Sequence, residues 1–142
     1  MKRSFLTFLL LSLFPIMLGG CLNEANQEND ADHMVGIVHQ GFKTGEWDAI
    51  MPLYDKSFLK LHPASVWKNK LLRLTKPLGA LKNIKSTFLH KDPRFRGDFY
   101  IYGFLLQFEH GTISETLTML KNVDQDKMTI SGHQLRLKKH SS

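Results

Sequence analysis

Cysteine occurs once in this chain, at Cys21, so no internal disulfide holds the fold together. The spacing of metal ligands is missing too. The seven histidines (His33, His39, His62, His90, His110, His133, His140) form no H-x-x-x-H or H-E-x-x-H pair and lack cysteine partners, which argues against the common zinc arrangements. None of the ten glycines builds the phosphate loop G-x-x-x-x-G-K-S/T. Ser65, Ser86 and Ser114 stand in no G-x-S-x-G setting, so the usual signature of a nucleophilic serine is absent. Asp124-Gln125-Asp126 opens like a calcium loop, but Thr129 sits where the glycine belongs and Leu135 where the glutamate belongs, leaving an ordinary turn. No apolar run reaches the roughly 20 residues that a spanning helix needs. Paired carboxylates at a catalytic spacing do not occur either.

What is present begins at the N-terminus. Lys2 and Arg3 give a positive start, and Ser4 to Met17 is an apolar run broken only by Ser4, Thr7, Ser12 and Pro15. That length suits the hydrophobic part of an export signal. The small pair Gly19-Gly20 then stands directly before Cys21, with Leu18 three positions upstream of the cysteine. Leu18-Gly19-Gly20-Cys21 in this position resembles the lipobox of bacterial lipoproteins. The resemblance implies cleavage between Gly20 and Cys21, a thioether from Cys21 to diacylglycerol, and acylation of the new amino terminus. Two or more chains anchor stably where one is marginal, since each buried CH₂ contributes about 0.8 kcal/mol. The expected partner is therefore a membrane, held through the lipid on Cys21 and not crossed. Gram-negative lipoproteins retained at the inner membrane commonly carry Asp after the cysteine, whereas Leu22 stands here. The resemblance thus points to the periplasmic face of the outer membrane, an inference that lapses in a Gram-positive cell.

Residues 1–20 removed, 122 residues remain, the size of one domain with one modest core. Lys2 and Arg3 belong to the leader, so 17 basic and 13 acidic residues leave a balance of +4 with histidines neutral. This is too mild to mark a nucleic-acid binder, and no DNA- or RNA-reading motif accompanies it. Small basic clusters (Lys68/Lys70/Arg73/Lys76, Lys91/Arg94/Arg96, Arg136/Lys138/Lys139) read as solvated faces, or as contacts for anionic headgroups.

Asn23 to Asp32 contains no apolar residue larger than alanine, and residues 21–32 are expected to be a flexible tether. The globular part is expected over residues 33–138, with 139–142 as a tail. Met34, Val35, Val38 and Phe42 recur at helical spacing, predicting a first helix over about 30–43. Trp47, Ile50, Met51 and Tyr54 repeat that spacing after Gly45 and predict a short second helix, limited by Pro52, that forms a hairpin with the first. His62-Pro63-Ala64-Ser65 opens a third helix carrying Val66, Trp67, Lys70, Leu71 and Leu74, ended by Pro77 and Gly79. The period then changes to two. Strands are predicted over about 81–90, with imperfect alternation, and over 99–108, with Tyr100, Tyr102, Phe104, Leu106 and Phe108 on one face. After the turn at Glu109-His110-Gly111, Thr112 to Leu120 sets Ile113, Glu115, Leu117 and Met119 against threonines and serine, the pattern of a half-exposed antiparallel strand. Asn122 to Lys127 is the next turn, and Met128, Ile130, Gly132, Leu135 and Leu137 mark the last strand.

Helices first and strands afterwards predict an α+β fold, with N-terminal helices packed on one face of a curved antiparallel sheet of about four strands. The order of helix, Gly45-Glu46-Trp47-Asp48 turn, second helix, Leu78-Gly79-Ala80-Leu81, aromatic strand, Gly111-Thr112 hairpin and closing Met128-Thr129-Ile130-Ser131-Gly132-His133 is similar to the cystatin-like or NTF2-like small domains of many bacterial lipoproteins. It departs from them at Met128, where such domains often carry tryptophan. The resemblance implies an apolar pocket between sheet and helices, which Asp98, Tyr100, Tyr102, His90 and His133 are the polar groups able to line. A fold alone assigns no reaction. The expectation is a non-catalytic domain that binds a protein partner, a peptide or a small apolar ligand, without cofactor, metal or nucleic acid. Candidate contacts are Trp67, Tyr100, Tyr102, Asp98 and His133, although for the aromatic ones plain core filling is the favoured reading. Two other readings stand beside it: a pocket enzyme of isomerase or dehydratase type using Asp98 or a histidine, and a structural accessory of a secretion or envelope complex.

Overall fold

The computed structural model describes residues 19–138, with side chains from Asn26 onward. Helix α1 spans Gly19–Thr44, α2 Lys56–Leu61 and α3 Ala64–Thr75, with short 3-10 turns at Met51–Leu53 and Lys76–Leu78. Strands β1 (Leu81–Arg94), β2 (Gly97–Phe108), β3 (Gly111–Asn122) and β4 (Met128–Lys138) follow and pair antiparallel in the order β1-β2-β3-β4. The fold is α+β, with helices against one face of a curved sheet that does not close, as the change of period implied.

Three departures have physical causes. The segment expected to be a tether is helical: α1 runs without interruption through residues 21–32, Ala31 is buried, and Gln27 and Asp32 accept hydrogen bonds from Tyr100 and Tyr102 on β2. Polar composition removed the apolar signal, but the side chains that replaced it are held by phenol hydroxyls. The second helix is displaced. Trp47, Ile50 and Tyr54 are buried as their spacing implied, yet Pro52 restricts the first stretch to a 3-10 turn, and α2 begins only after Asp55 caps it by accepting from the Ser57 amide at 2.8 Å. Strand β1 is longer than expected and reaches Arg94, its uneven alternation explained by register shifts between Leu81 and Asn83 and between Ser86 and Phe88.

The core lies between α1, α3 and the inward face of the sheet. Every second residue of β2 from Tyr100 to Phe108 and of β3 from Ile113 to Met119 is buried. Contacts along α1 fix its direction: Gln27 meets Tyr100, Asp32 meets Tyr102, His39 packs edge-on to Phe104, and Phe42 to Phe108. Helix α1 therefore runs in the same sense as β2, and its N-terminal end stands beside the β1–β2 hairpin.

That hairpin turns at Gly97, whose φ of +151° lies outside the range of most side chains. A Cβ at this position would fall 2.4 Å from the Lys121 carbonyl oxygen on β3. Gly97→Ala is expected to lower the unfolding free energy by more than about 1 kcal/mol, measured by urea denaturation.

Candidate functional site

Among the described residues three buried side chains are polar or charged, His39, Glu115 and His133, and the fold brings all three together. Glu115, on the apolar face of β3, is completely buried. Its Oε2 lies 2.7 Å from Nε2 of His39 on α1, and its Oε1 lies 2.8 Å from Nε2 of His133 on β4. On the far side of the ring, His133 Nδ1 is 2.7 Å from the hydroxyl of Tyr54. Tyr54 is itself fastened to β4, because it bridges Ile130 in parallel and the Asp55 amide donates to the Ile130 carbonyl at 2.8 Å.

The placement of His133 depends on one extra residue. The register of β3 with β4 shifts at Ser131, between the Thr118–Gly132 and Met119–Ile130 pairs. Ile130 and His133 consequently both face inward, although they are three residues apart. An unbroken strand would turn His133 to the outer face.

Electrostatics fix the direction of the hydrogen bonds. Burial acts to raise the Glu115 carboxyl, but the bonds from His133 and His39, with their charge, outweigh it and hold the group at about 2. An ionised carboxylate only accepts, so both Nε2 atoms donate, and His133 Nδ1 shares a hydrogen bond of 2.7 Å with the Tyr54 hydroxyl. Burial pushes that phenol well above its usual range; the nearby Trp67 indole N–H opposes the rise and the Glu115 charge adds to it. The Trp67 nitrogen makes no full hydrogen bond, and its ring stands edge-on to Tyr54, Phe58 and His133. The chain Tyr54–His133–Glu115–His39 thus joins the segment before α2, strand β4, strand β3 and helix α1 in one polar line through the core.

The residues singled out from the sequence fall in three places. Trp67 and His133 belong to the network just described. Tyr100 and Tyr102 are buried under α1, bonded to Gln27 and Asp32, and do not stand at an exposed rim. Burial, together with the Asp32 carboxylate, pushes the Tyr102 hydroxyl above the usual phenol range. Asp98 is at the opposite end of the sheet from Phe108, in a polar cleft of about 380 Å³ that Gln27, Arg94 and Lys121 also line. His90 is exposed on β1. The side chain of Cys21, the leader up to Leu18 and residues 139–142 lie outside the described residues. Among the described residues no group of three His, Cys, Asp or Glu side chains is arranged to hold a metal ion, and no helix is long and apolar enough to cross a membrane.

Glu115, His39 and Tyr54 were missed as partners, yet the first two left a trace. Glu115 is the one charged member of an otherwise apolar alternation, and His39 lies four residues after Val35 on the buried stripe of α1. Comparison with family models, with characterised proteins and with solved structures finds no match to this chain.

Removing the carboxylate leaves two buried histidines without an acceptor. Glu115→Ala is expected to cost about 3–5 kcal/mol of unfolding free energy in urea titrations at neutral pH. The acid dependence follows from the sign of the shift. The folded-state carboxyl lies below its ordinary 4.5, so its contribution is complete above that pH and is lost as pH falls toward about 2. Half-buried Asp55 and exposed Glu109 are also held low, by their bonds to Ser57 and Lys82, so the difference between wild type and Glu115→Gln isolates the buried group. That difference should shrink steadily between about pH 4.5 and pH 2 in thermal or urea unfolding followed by circular dichroism.

Proposed function

We propose that this chain is a lipid-anchored protein of the bacterial cell envelope whose domain is a non-catalytic binding module for a protein partner. The single observation that carries the proposal is Leu18-Gly19-Gly20-Cys21 at the end of a charged, apolar leader. Acylated Cys21 is the anchor, and Leu22 in place of Asp favours the outer membrane in a Gram-negative cell.

The domain's interior supports binding over chemistry. The space where a cystatin-like or NTF2-like domain would hold a pocket is occupied by Phe42, Tyr54, Trp67 and the Glu115 network, all buried. A small apolar ligand therefore has less claim than a protein. The surface best suited to a protein is the flank of α3, a groove of about 580 Å³ with Val66 and Leu72 on its walls and Arg73 and Lys76 on its rim. Apolar walls with a cationic rim complement an amphipathic, acidic segment of a partner.

Labelling of growing cells with tritiated palmitate should mark the protein, and Cys21→Ser should abolish the label and move the protein from the membrane to the soluble fraction. Unlabelled wild-type protein that washes off membranes in plain buffer would refute the anchor.

A further inference from the structure

The end of the sheet from which α1 departs carries an apolar tip with no place in the core. Phe95, between Arg94 and Arg96 in the β1–β2 turn, is 99% exposed, and Val123, in the β3–β4 turn, is 73% exposed. The two turns are joined, since the Val123 amide donates to the Arg96 carbonyl at 3.2 Å. A single exposed apolar residue calls for no explanation. Here two of them share one tip, and the direction of α1 says what lies next to it.

Gln27 accepts from Tyr100 and lines the same cleft as Arg94 and Val123. Helix α1 continues from Gln27 back through Cys21, six residues at about 1.5 Å each, or roughly 9 Å along the helix. From Tyr100 back to Gly97, where the hairpin turns, is three residues at about 3.3 Å, or roughly 10 Å along the strand. Measured along β2, the backbone of Cys21 therefore reaches about as far as the base of the Phe95 turn. A lipid on Cys21 would bring the tip to the bilayer surface with it.

We infer that the Arg94-Phe95-Arg96 turn, supported by Val123, is a second membrane contact that seats the domain end-on against the bilayer holding its anchor. The inference rests on the lipidation proposed above. Phe95 enters the interfacial zone while Arg96 and the Arg94 head stay at headgroup level, their stems lying along apolar surface. Arg94 is held in place by Asp92 at 2.6 Å and by the Phe99 ring, whose centroid is 5.2 Å from its guanidinium carbon. Exposed Asp124 and Asp126 on the neighbouring turn resist deeper entry, so the contact is shallow. The α3 groove, on the flank of the domain and not at this end, is left open to the aqueous side.

The test uses the complete protein, extracted from the membranes of producing cells and reconstituted into phosphatidylethanolamine/phosphatidylglycerol vesicles. Phe95→Trp places a fluorophore at the tip, against native Trp47 and Trp67 that are buried in the core. Leu61→Trp, at a site 78% exposed on α2, is the control for proximity without insertion. Phospholipid brominated near the glycerol end of its acyl chains should quench the added emission at position 95 at least twofold more than that at position 61. Equal quenching at the two positions overturns the inference. The mass of the N-terminal peptide reports the anchor separately. An acylated Cys21 without selective quenching removes the tip contact alone; a bare thiol with selective quenching removes the anchor and keeps the tip; a bare thiol without it removes both.

Discussion

A carboxylate buried without solvent must be ionised among donors or protonated, and Glu115 is ionised because two imidazoles from distant parts of the chain converge on it. His39 is 76 residues away in sequence and His133 is 18 away, so the site exists only when α1, β3 and β4 are in their final places. The requirement runs in both directions. Any slip of α1 along the sheet, or of β4 against β3, leaves a charge unpaired in an apolar interior, and such a state is costly in proportion to its burial. Apolar contacts around the network supply the bulk of the attraction between the layers but tolerate small displacements; the polar line through the core does not.

The same constraint bears on the two ends of the domain. With α1 held at His39 and again at Asp32 and Gln27, the helix cannot swing away from the sheet. A long flexible tether would have uncoupled an anchor from the orientation of the globule. A continuous helix bonded to β2 is instead fixed in direction relative to the sheet.

Much of the architecture was legible from periodicity. The change from a helical period to a period of two after Gly79, the aromatic face of β2 and the threonine-rich alternation of β3 all correspond to elements in the structure, and the buried residues are those that the alternation picks out. Failures occurred where periodicity had no apolar signal to carry, as in residues 23–32, or where a local restriction overrode it, as at Pro52. The candidate site was visible only in outline. His133 shares the parity of Leu135 and Leu137 and not that of Met128 and Ile130, and this mismatch is the mark of the bulge at Ser131 that turns it inward.

By itself the sequence determined the class of fold, the order of its elements and most of the core, because each of these is written in neighbouring residues: spacing, branching and turn formers. Only the tertiary structure decided that Glu115, His39, His133 and Tyr54 are one network, and that the start of α1 stands beside the Phe95 turn. Those are relations between segments far apart in the chain. Local patterns report which face of an element is buried, whereas helix direction, strand register and a single bulge determine which side chains on those faces meet.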